Sequence, residues 1–232
     1  MRDRRGLNAT KAPRPRILVD ALDADWMVLN GGFRQSRARR TVKRLFDVAA
    51  SAVLLIAALP VMLIAALCVA IESGAPVLYF QERVGQRGRV FTIFKFRSMR
   101  TDAEIDGTPR WADADDARVT RVGRVIRKLR IDELPQIFNV LNGDMSFVGP
   151  RPERPFFVEQ LSSRIRHYDA RHSVKPGITG WAQVSYPYGA SHHDAVEKCQ
   201  YDLYYVKNQN LFLDVIILID TVRVVLLGKG AR

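Results

Sequence analysis

The sequence predicts an α+β, mainly helical, membrane-associated domain. Three observations lead there. Val48 to Ile71 is a run of 24 residues without a charge, long enough to reach across a bilayer core. Period-two alternation on either side of Gly85–Gly88 gives a short β-hairpin. Segments 118–130, 194–208 and 211–227 read as amphipathic helices, interfacial or core-packed.

The 232 residues suit one domain with an appendage, or two small units, and 47% hydrophobic residues supply a core. The net charge of +12 and pI near 10.1 favour anionic partners: phosphorylated small molecules, an anionic membrane face or nucleic acid. Two cysteines, Cys68 and Cys199, make no disulfide framework. There is no internal repeat.

Residues 1–46 carry twelve Lys/Arg and four Asp. The first sixteen read as a basic tail, Ile17 to Phe33 as a short unit stopped by a Gly-Gly pair, and "RQSRARRTVKR" as a basic linker. The uncharged run follows. Arg37, Arg39, Arg40, Lys43 and Arg44 precede it, and Arg83, Arg87 and Arg89 follow it. Positive charge on both flanks places both in the cytoplasm. Pro60, in mid-run, removes a backbone hydrogen bond. A re-entrant helix broken at Pro60 satisfies both flanks and is preferred to a straight span or a buried soluble helix, so the organisation reads as tail and linker (1–40), re-entrant anchor (41–74) and a cytoplasmic-face domain (75–232).

"PVLYFQERVGQRGRVFTIFKFRSM" forms the hairpin. Alternation puts Phe91, Ile93, Lys95 and Arg97 on one face of its second strand, which makes Lys95 and Arg97 either a solvated strand end or a phosphate clamp. "TDAEIDGTPRWADADDA" (101–117) is acidic, with Gly107 and Pro109, and lacks the spacing of a calcium loop. It reads as a solvated loop. In 118–130, Val119, Val122, Val125, Ile126 and Leu129 alternate with six cations. That pattern suits an anionic membrane surface or a core-packed helix with a basic outer face. "KPGITGWAQVSYPYG" (175–189) reads as a structured loop. In the C-terminal helix, Asp214, Asp220 and Arg223 argue against a span, and Gly228 marks its end.

The chemistry concentrates between Arg127 and Glu153. Asp132 is placed to cap a helix starting at Glu133, with Leu134-Pro135 in its first turn. Arg127, Lys128 and Arg130 keep the adjacent carboxylates ionised and gather phosphates. Asp144 is a further oxygen ligand for the same pocket. Pro150 and Pro152 fix the backbone around Arg151, whose fork suits a phosphate. Two carboxylates, several cations and a divalent metal are the usual equipment of phosphoryl transfer.

"KFRSM", "RIDELPQIFNVLNGDMSFVGPRPE" and "KPGITGWAQV" together resemble the bacterial sugar transferases, the monotopic polyprenol-phosphate phosphoglycosyltransferases. The resemblance covers about residues 41–230 and is closest to members that initiate exopolysaccharide repeat units. "RPERPFFVEQL" and "VVLLGKGAR" are similar to the exosortase-associated branch. The resemblance implies that Asp132 is a nucleophile attacking the sugar-bearing phosphate of a UDP-sugar, and that UMP leaves. Polyprenol phosphate, undecaprenyl phosphate in particular, then takes the sugar phosphate. Glu133 matches the partner carboxylate, and Arg151 the Pro-Arg-Pro arginine that faces phosphate or nucleotide. Lys95, Arg97 and Arg130 complete the expected phosphate-binding set, and Asp132 and Asp144 the expected Mg2+ ligands. The setting implied is the cytoplasmic face of the bacterial inner membrane, among its lipids and without nucleic acid; a homodimer is admitted. Family members place a Ser before the break-point Pro where this chain has Leu59. Larger members carry an upstream helix bundle and Rossmann-like domain. "RILVDALDADWMVLNGGFRQ" looks like the joint after such a domain, in a short member or a remnant.

Two other functions compete with this one. A non-catalytic, membrane-attached module for anionic lipid or nucleic acid fits the charge, but no nucleic-acid module is legible. A lipid-diphosphate phosphatase would want a His or Cys nucleophile, and His167, His172, His192 and His193 lie in no such pattern. Cys68 and Cys199 read as packing residues.

Overall fold

The uncharged run lies within one long helix, α1 (Arg37–Ser73), in a computed structural model that describes residues 14–19, 36–103, 116–186 and 191–226. The Ser36 side chain caps its start by accepting from Arg39 N. Gly74, at φ 69°, closes its end. The expected break at Pro60 does not end the element: α1 runs through Pro60 as one helix. The ring removes one N–H and crowds the carbonyl four residues back, which makes Pro60 the natural place for a bend.

Asp47, Ser51, Ala58, Met62, Ala65 and Val69 form a buried stripe along α1. Their spacing of three, four and seven residues is that of one helix face. The opposite face leaves Val53, Ile56, Leu63, Ile64 and Leu67 exposed. Only 22% of the most apolar 18-residue window is covered by the rest of the chain. A core helix of a soluble domain would be covered all round, so α1 is a helix long and apolar enough to cross a membrane with one flank on protein.

Both ends of α1 dock on the same body. Near its start, Arg44 donates to the carbonyls of Val140 and, at 2.7 Å, Leu141. Lys43 Nζ sits 3.0 Å from Asp47 Oδ1 and 2.8 Å from Asp214 Oδ2. Asp47 also accepts from Ser146 Oγ at 3.1 Å and Phe147 N at 3.3 Å. At the far end, the Glu72 carboxylate accepts from Arg121 N and Val122 N, both at 2.9 Å.

Strands β1 (Leu78–Val84) and β2 (Val90–Phe96) pair antiparallel, from Leu78 opposite Phe96 to Val84 opposite Val90. Helix α2 (Arg121–Lys128) is shorter than the predicted 118–130, because Thr120 caps it. Its Ile126 packs with Val69 and Phe96 under α1, while Val125 and Leu129 face outward. The core-packed reading of this segment therefore holds for the Ile126 flank.

A 3-10 turn, Ile131–Glu133, leads into α3 (Gln136–Asn142). Strand β3 (Ser146–Val148), helix α4 (Pro155–Ser162) and a turn at Tyr168–Ser173 follow. Strand β4 (Gly177–Thr179) and helix α5 (Trp181–Ser185) occupy the stretch predicted to be a loop. Strands β3 and β4 pair in parallel, Ser146 opposite Gly177 and Val148 opposite Thr179. Each is too short for alternation to be read. A Cβ on Gly177 would collide with the backbone of Gly149, so this crossing needs glycine.

Helices α6 (His192–Asn208) and α7 (Leu211–Leu226) complete the described fold. Tyr201, Tyr205 and Ile217 pack with Met145, Phe147, Val148 and Trp181 as the main core. A second cluster joins Val19 to Leu161, Tyr168, Cys199 and Leu203. The acidic residues 104–115, most of the Ile17–Phe33 unit, the first thirteen residues, 187–190 and the expected helix end at Gly228 lie outside the described residues.

Candidate active site

The dyad sits in the turn between α2 and α3. Arg130 opens that turn in the left-handed region, at φ 59° and ψ 18°. A non-glycine residue there stores roughly 1–3 kcal/mol of strain. Asp132 was expected to cap a helix at Glu133. Instead α3 starts at Gln136, after Pro135. Asp132 lies inside a 3-10 turn, opened by the left-handed Arg130 and closed by Leu134 N donating to Ile131 O at 3.1 Å, and so is not at a cap position.

Asp132 and Glu133 are both buried, at 8% and 7% exposure. Their surroundings differ. Glu133 Oε1 accepts from Arg151 Nη2 at 2.7 Å and Lys95 Nζ at 3.3 Å, with Arg130 Nη1 at 3.9 Å. Asp132 Oδ1 is buried with no hydrogen-bond partner. The expected cations therefore converge on Glu133 and do not hold both acids equally. Burial pushes Glu133 up, but Arg151, then Lys95 and Arg130, outweigh it and hold the carboxyl well below the ordinary range. Burial, then the charge of Glu133, pushes Asp132 up to about 6.

Of the six residues expected to bind phosphate or metal, Lys95, Arg130, Arg151 and Asp132 come together. Arg97 does not join them. It is buried, and its Nη2 donates to Ser73 O at 2.7 Å, Gly74 O at 2.6 Å and Ser73 Oγ at 3.1 Å. It caps the end of α1, whose last carbonyls need donors. Asp144 also lies elsewhere. Helix α3 separates it from the dyad by roughly 10 Å of helix; Asp144 is exposed and follows Gly143 at the opposite end. Lys175 is among its charged neighbours.

Several contributors were not legible in the sequence. Asn139 is fully buried and serves as a side-chain extension of the hairpin. It accepts from Phe94 N at 3.0 Å and donates to Thr92 O at 2.7 Å, which fixes α3 against β2 and so the dyad turn against Lys95. Arg83 donates to Pro152 O at 3.0 Å, and Arg171 Nη2 donates to Arg151 O at 2.8 Å. Neither arginine stands out by type or spacing in a chain with 36 Lys/Arg. Cys199 is buried and its thiol is pushed up by burial to about 12, which makes it a packing residue. His172 is pushed down to about 4 by burial and by Arg171.

The family model for bacterial sugar transferases matches residues 38–228. The chain belongs to the bacterial sugar transferase family. Among similar members is the UDP-N-acetylgalactosamine-undecaprenyl-phosphate N-acetylgalactosaminephosphotransferase of Aeromonas hydrophila, 46% identical over 94% of this chain and 50% of that protein. The undecaprenyl-phosphate glucose phosphotransferase of Komagataeibacter xylinus is 43% identical over 82% of this chain and 36% of that protein. An uncharacterized sugar transferase of Bacillus subtilis, EpsL, is 42% identical over 82% of this chain and 90% of that protein. This sugar transferase thus spans half or less of the first two relatives, and nearly all of the third. The match begins one residue into α1 and ends beyond α7, so it takes in the apolar helix and the dyad together.

Proposed function

We propose that the chain transfers a sugar phosphate from a UDP-sugar to a polyprenol phosphate, undecaprenyl phosphate in particular, and releases UMP. The observation that carries this reading is the division within the dyad. One carboxylate is held by three cations, and its neighbour has an oxygen without a partner. A structural ion-pair site would spread its cations over both acids. The names of the Aeromonas and Komagataeibacter relatives supply the acceptor and the kind of donor.

In this reading an Asp132 oxygen attacks the sugar-bearing phosphorus. The phosphorus–oxygen bond to UMP breaks, and UMP leaves with the electron pair. An oxygen of polyprenol phosphate then attacks the same phosphorus, and Asp132 departs as a carboxylate. The product is a polyprenyl-diphosphate sugar. Splitting one transfer into two is ordinary covalent catalysis. Glu133 anchors Arg151, Lys95 and Arg130 around the reacting phosphates, where they neutralise developing charge.

Mg2+ fits this site as an ion shared with substrate. Among the described residues no three His, Cys, Asp or Glu side chains gather to hold a metal. Asp132 Oδ1 is an orphaned buried oxygen that would supply one ligand, with substrate phosphates supplying others. Bound there, the ion would offset phosphate charge.

We assign the unit to the cytoplasmic face of the inner membrane, with α1 entering and leaving on that face, at the first membrane step of exopolysaccharide repeat-unit assembly. The docking of both ends of α1 on one body supports this placement. A straight span would need that body on both sides of the bilayer.

The test is UMP release from a panel of UDP-sugars, including UDP-glucose and UDP-N-acetylgalactosamine, with undecaprenyl phosphate in lipid nanodiscs. Intact-mass analysis without acceptor checks for the sugar-phosphate adduct. Release with one donor and an adduct on Asp132 are expected. Absence of release with every donor would remove the reaction.

A further inference from the structure

Arg151 hangs from a backbone that cannot be held in the usual way. Pro150 and Pro152 flank it, so two of the three residues in the loop offer no N–H. The loop is held through its carbonyls, and each is engaged. Pro150 O accepts from Gly177 N at 3.0 Å, and Glu153 O from Val84 N at 2.9 Å. The two between them are taken by side chains: Arg151 O by Arg171 Nη2 at 2.8 Å, and Pro152 O by Arg83 Nη1 at 3.0 Å.

Arg171 is itself locked. Its Nε and Nη2 donate to Asp202 Oδ2 at 3.1 and 2.7 Å, and its Nη1 donates to Tyr168 OH at 2.8 Å. Arg171, Asp202 and Tyr168 are 5%, 2% and 3% exposed. A fully engaged, buried guanidinium has no fork left for a substrate. Arg151, by contrast, contacts Glu133 and keeps a third of its side chain exposed, at 33%. Arg171 and Arg151 therefore have separate tasks.

We propose that Arg171, held by Asp202 and Tyr168, is a positioning residue for Arg151, fixing the carbonyl at the root of the guanidinium that grips Glu133. A lysine in its place keeps the charge but offers a single point, which cannot hold Asp202 and the Arg151 carbonyl in one plane. The Pro-Arg-Pro loop then loses its central tie. The buried pair connects α6, through Asp202, 31 residues along the chain from Arg171, to the rim of the site.

The proposal rests on the transfer reading only for its kinetic arm. R171K in the full chain, in nanodiscs, is compared with wild type by hydrogen exchange and by UMP release. Faster exchange in the peptide spanning 146–155, with the 211–224 peptide unchanged, is expected. So is a roughly tenfold rise in KM for the UDP-sugar with kcat within threefold. Y168F, which removes one hydroxyl and keeps the Arg171–Asp202 pair, should shift both readouts the same way by a smaller amount and guards against misfolding of R171K. Unchanged loop exchange in both folded variants overturns the proposal whatever their activity. A fall in kcat at constant KM, or exchange raised evenly over the whole chain, overturns it too. Faster loop exchange beside a wild type that releases no UMP supports the positioning role and removes the transfer reading instead.

Discussion

Arg151 Nη2 lies 2.7 Å from Glu133 Oε1 and joins the Pro-Arg-Pro loop to the dyad. It gives Glu133 its charge and leaves Asp132, the adjacent acid, raised and unpartnered at Oδ1. The two carboxylates are chemically unequal before any substrate arrives.

D132N should abolish transfer and the covalent adduct while the chain stays folded, because the amide cannot act as the nucleophile. E133Q should retain some adduct formation but lower turnover by about 100-fold, a loss in the range of one electrostatic group at an active site. Adduct mass measured in both variants separates the roles. An adduct persisting in D132N moves the nucleophile elsewhere.

If Asp132 is the nucleophile, transfer should rise as pH increases through about 6, since a carboxyl attacks only when ionised and Asp132 is held up to about 6. Glu133, held down by Arg151, stays ionised across the same window. Because the charge on Glu133 raises Asp132, E133Q should move the acid limb to lower pH. A pH profile of kcat/KM checks both; a limb moving upward in E133Q contradicts the assignment.

Lys95 and Arg97 sit two residues apart and should fail differently. K95M removes a cation from Glu133 and should lower transfer with little change in stability. R97M strips donors from Ser73 and Gly74, and hydrogen bonds to a charged group are worth about 1.5–3 kcal/mol each. It should lower the unfolding midpoint while transfer per folded molecule stays near wild type. Urea titration beside UMP release tells them apart.

K43M should destabilise the chain by about 3–5 kcal/mol, because it leaves buried Asp47 and Asp214 without their shared cation. Adding D214L removes one stranded charge and should restore part of that loss. Unfolding free energies over the double-mutant cycle test the coupling.

Single cysteines at R39C and A75C, in a chain lacking Cys68 and Cys199, should both react with an impermeant thiol reagent added to the cytoplasmic side of oriented vesicles. Opposite sidedness would make α1 a straight span.

The dyad, Arg151, Lys95 and the apolar helix were legible because each is marked locally, by adjacent acids, flanking prolines, strand alternation or an uncharged run. Arg97 departs from the expected clamp for a physical reason. It lies just past the end of β2, and alternation does not reveal that the end of α1 arrives there with carbonyls to satisfy. Asp144 was misplaced because nothing local says that the intervening α3 points it away from the dyad. Strands β3 and β4 are defined by each other across the fold and leave no three-residue signature. The Arg171–Asp202 pair is likewise a long-range match of common residue types.

The buried stripe on α1 bears on how the protein can be handled. Ala58, Met62, Ala65 and Val69 form one packed cluster with Phe96 and Ile126, beside the strand that carries Lys95. Cutting the chain at Gly74 to obtain a water-soluble fragment would strip one wall from that cluster and undo the caps on α2 and Arg97. Helix α1 is an internal girder of the working unit. Preparations of the protein should therefore keep α1, with a bilayer mimetic to cover its exposed apolar face.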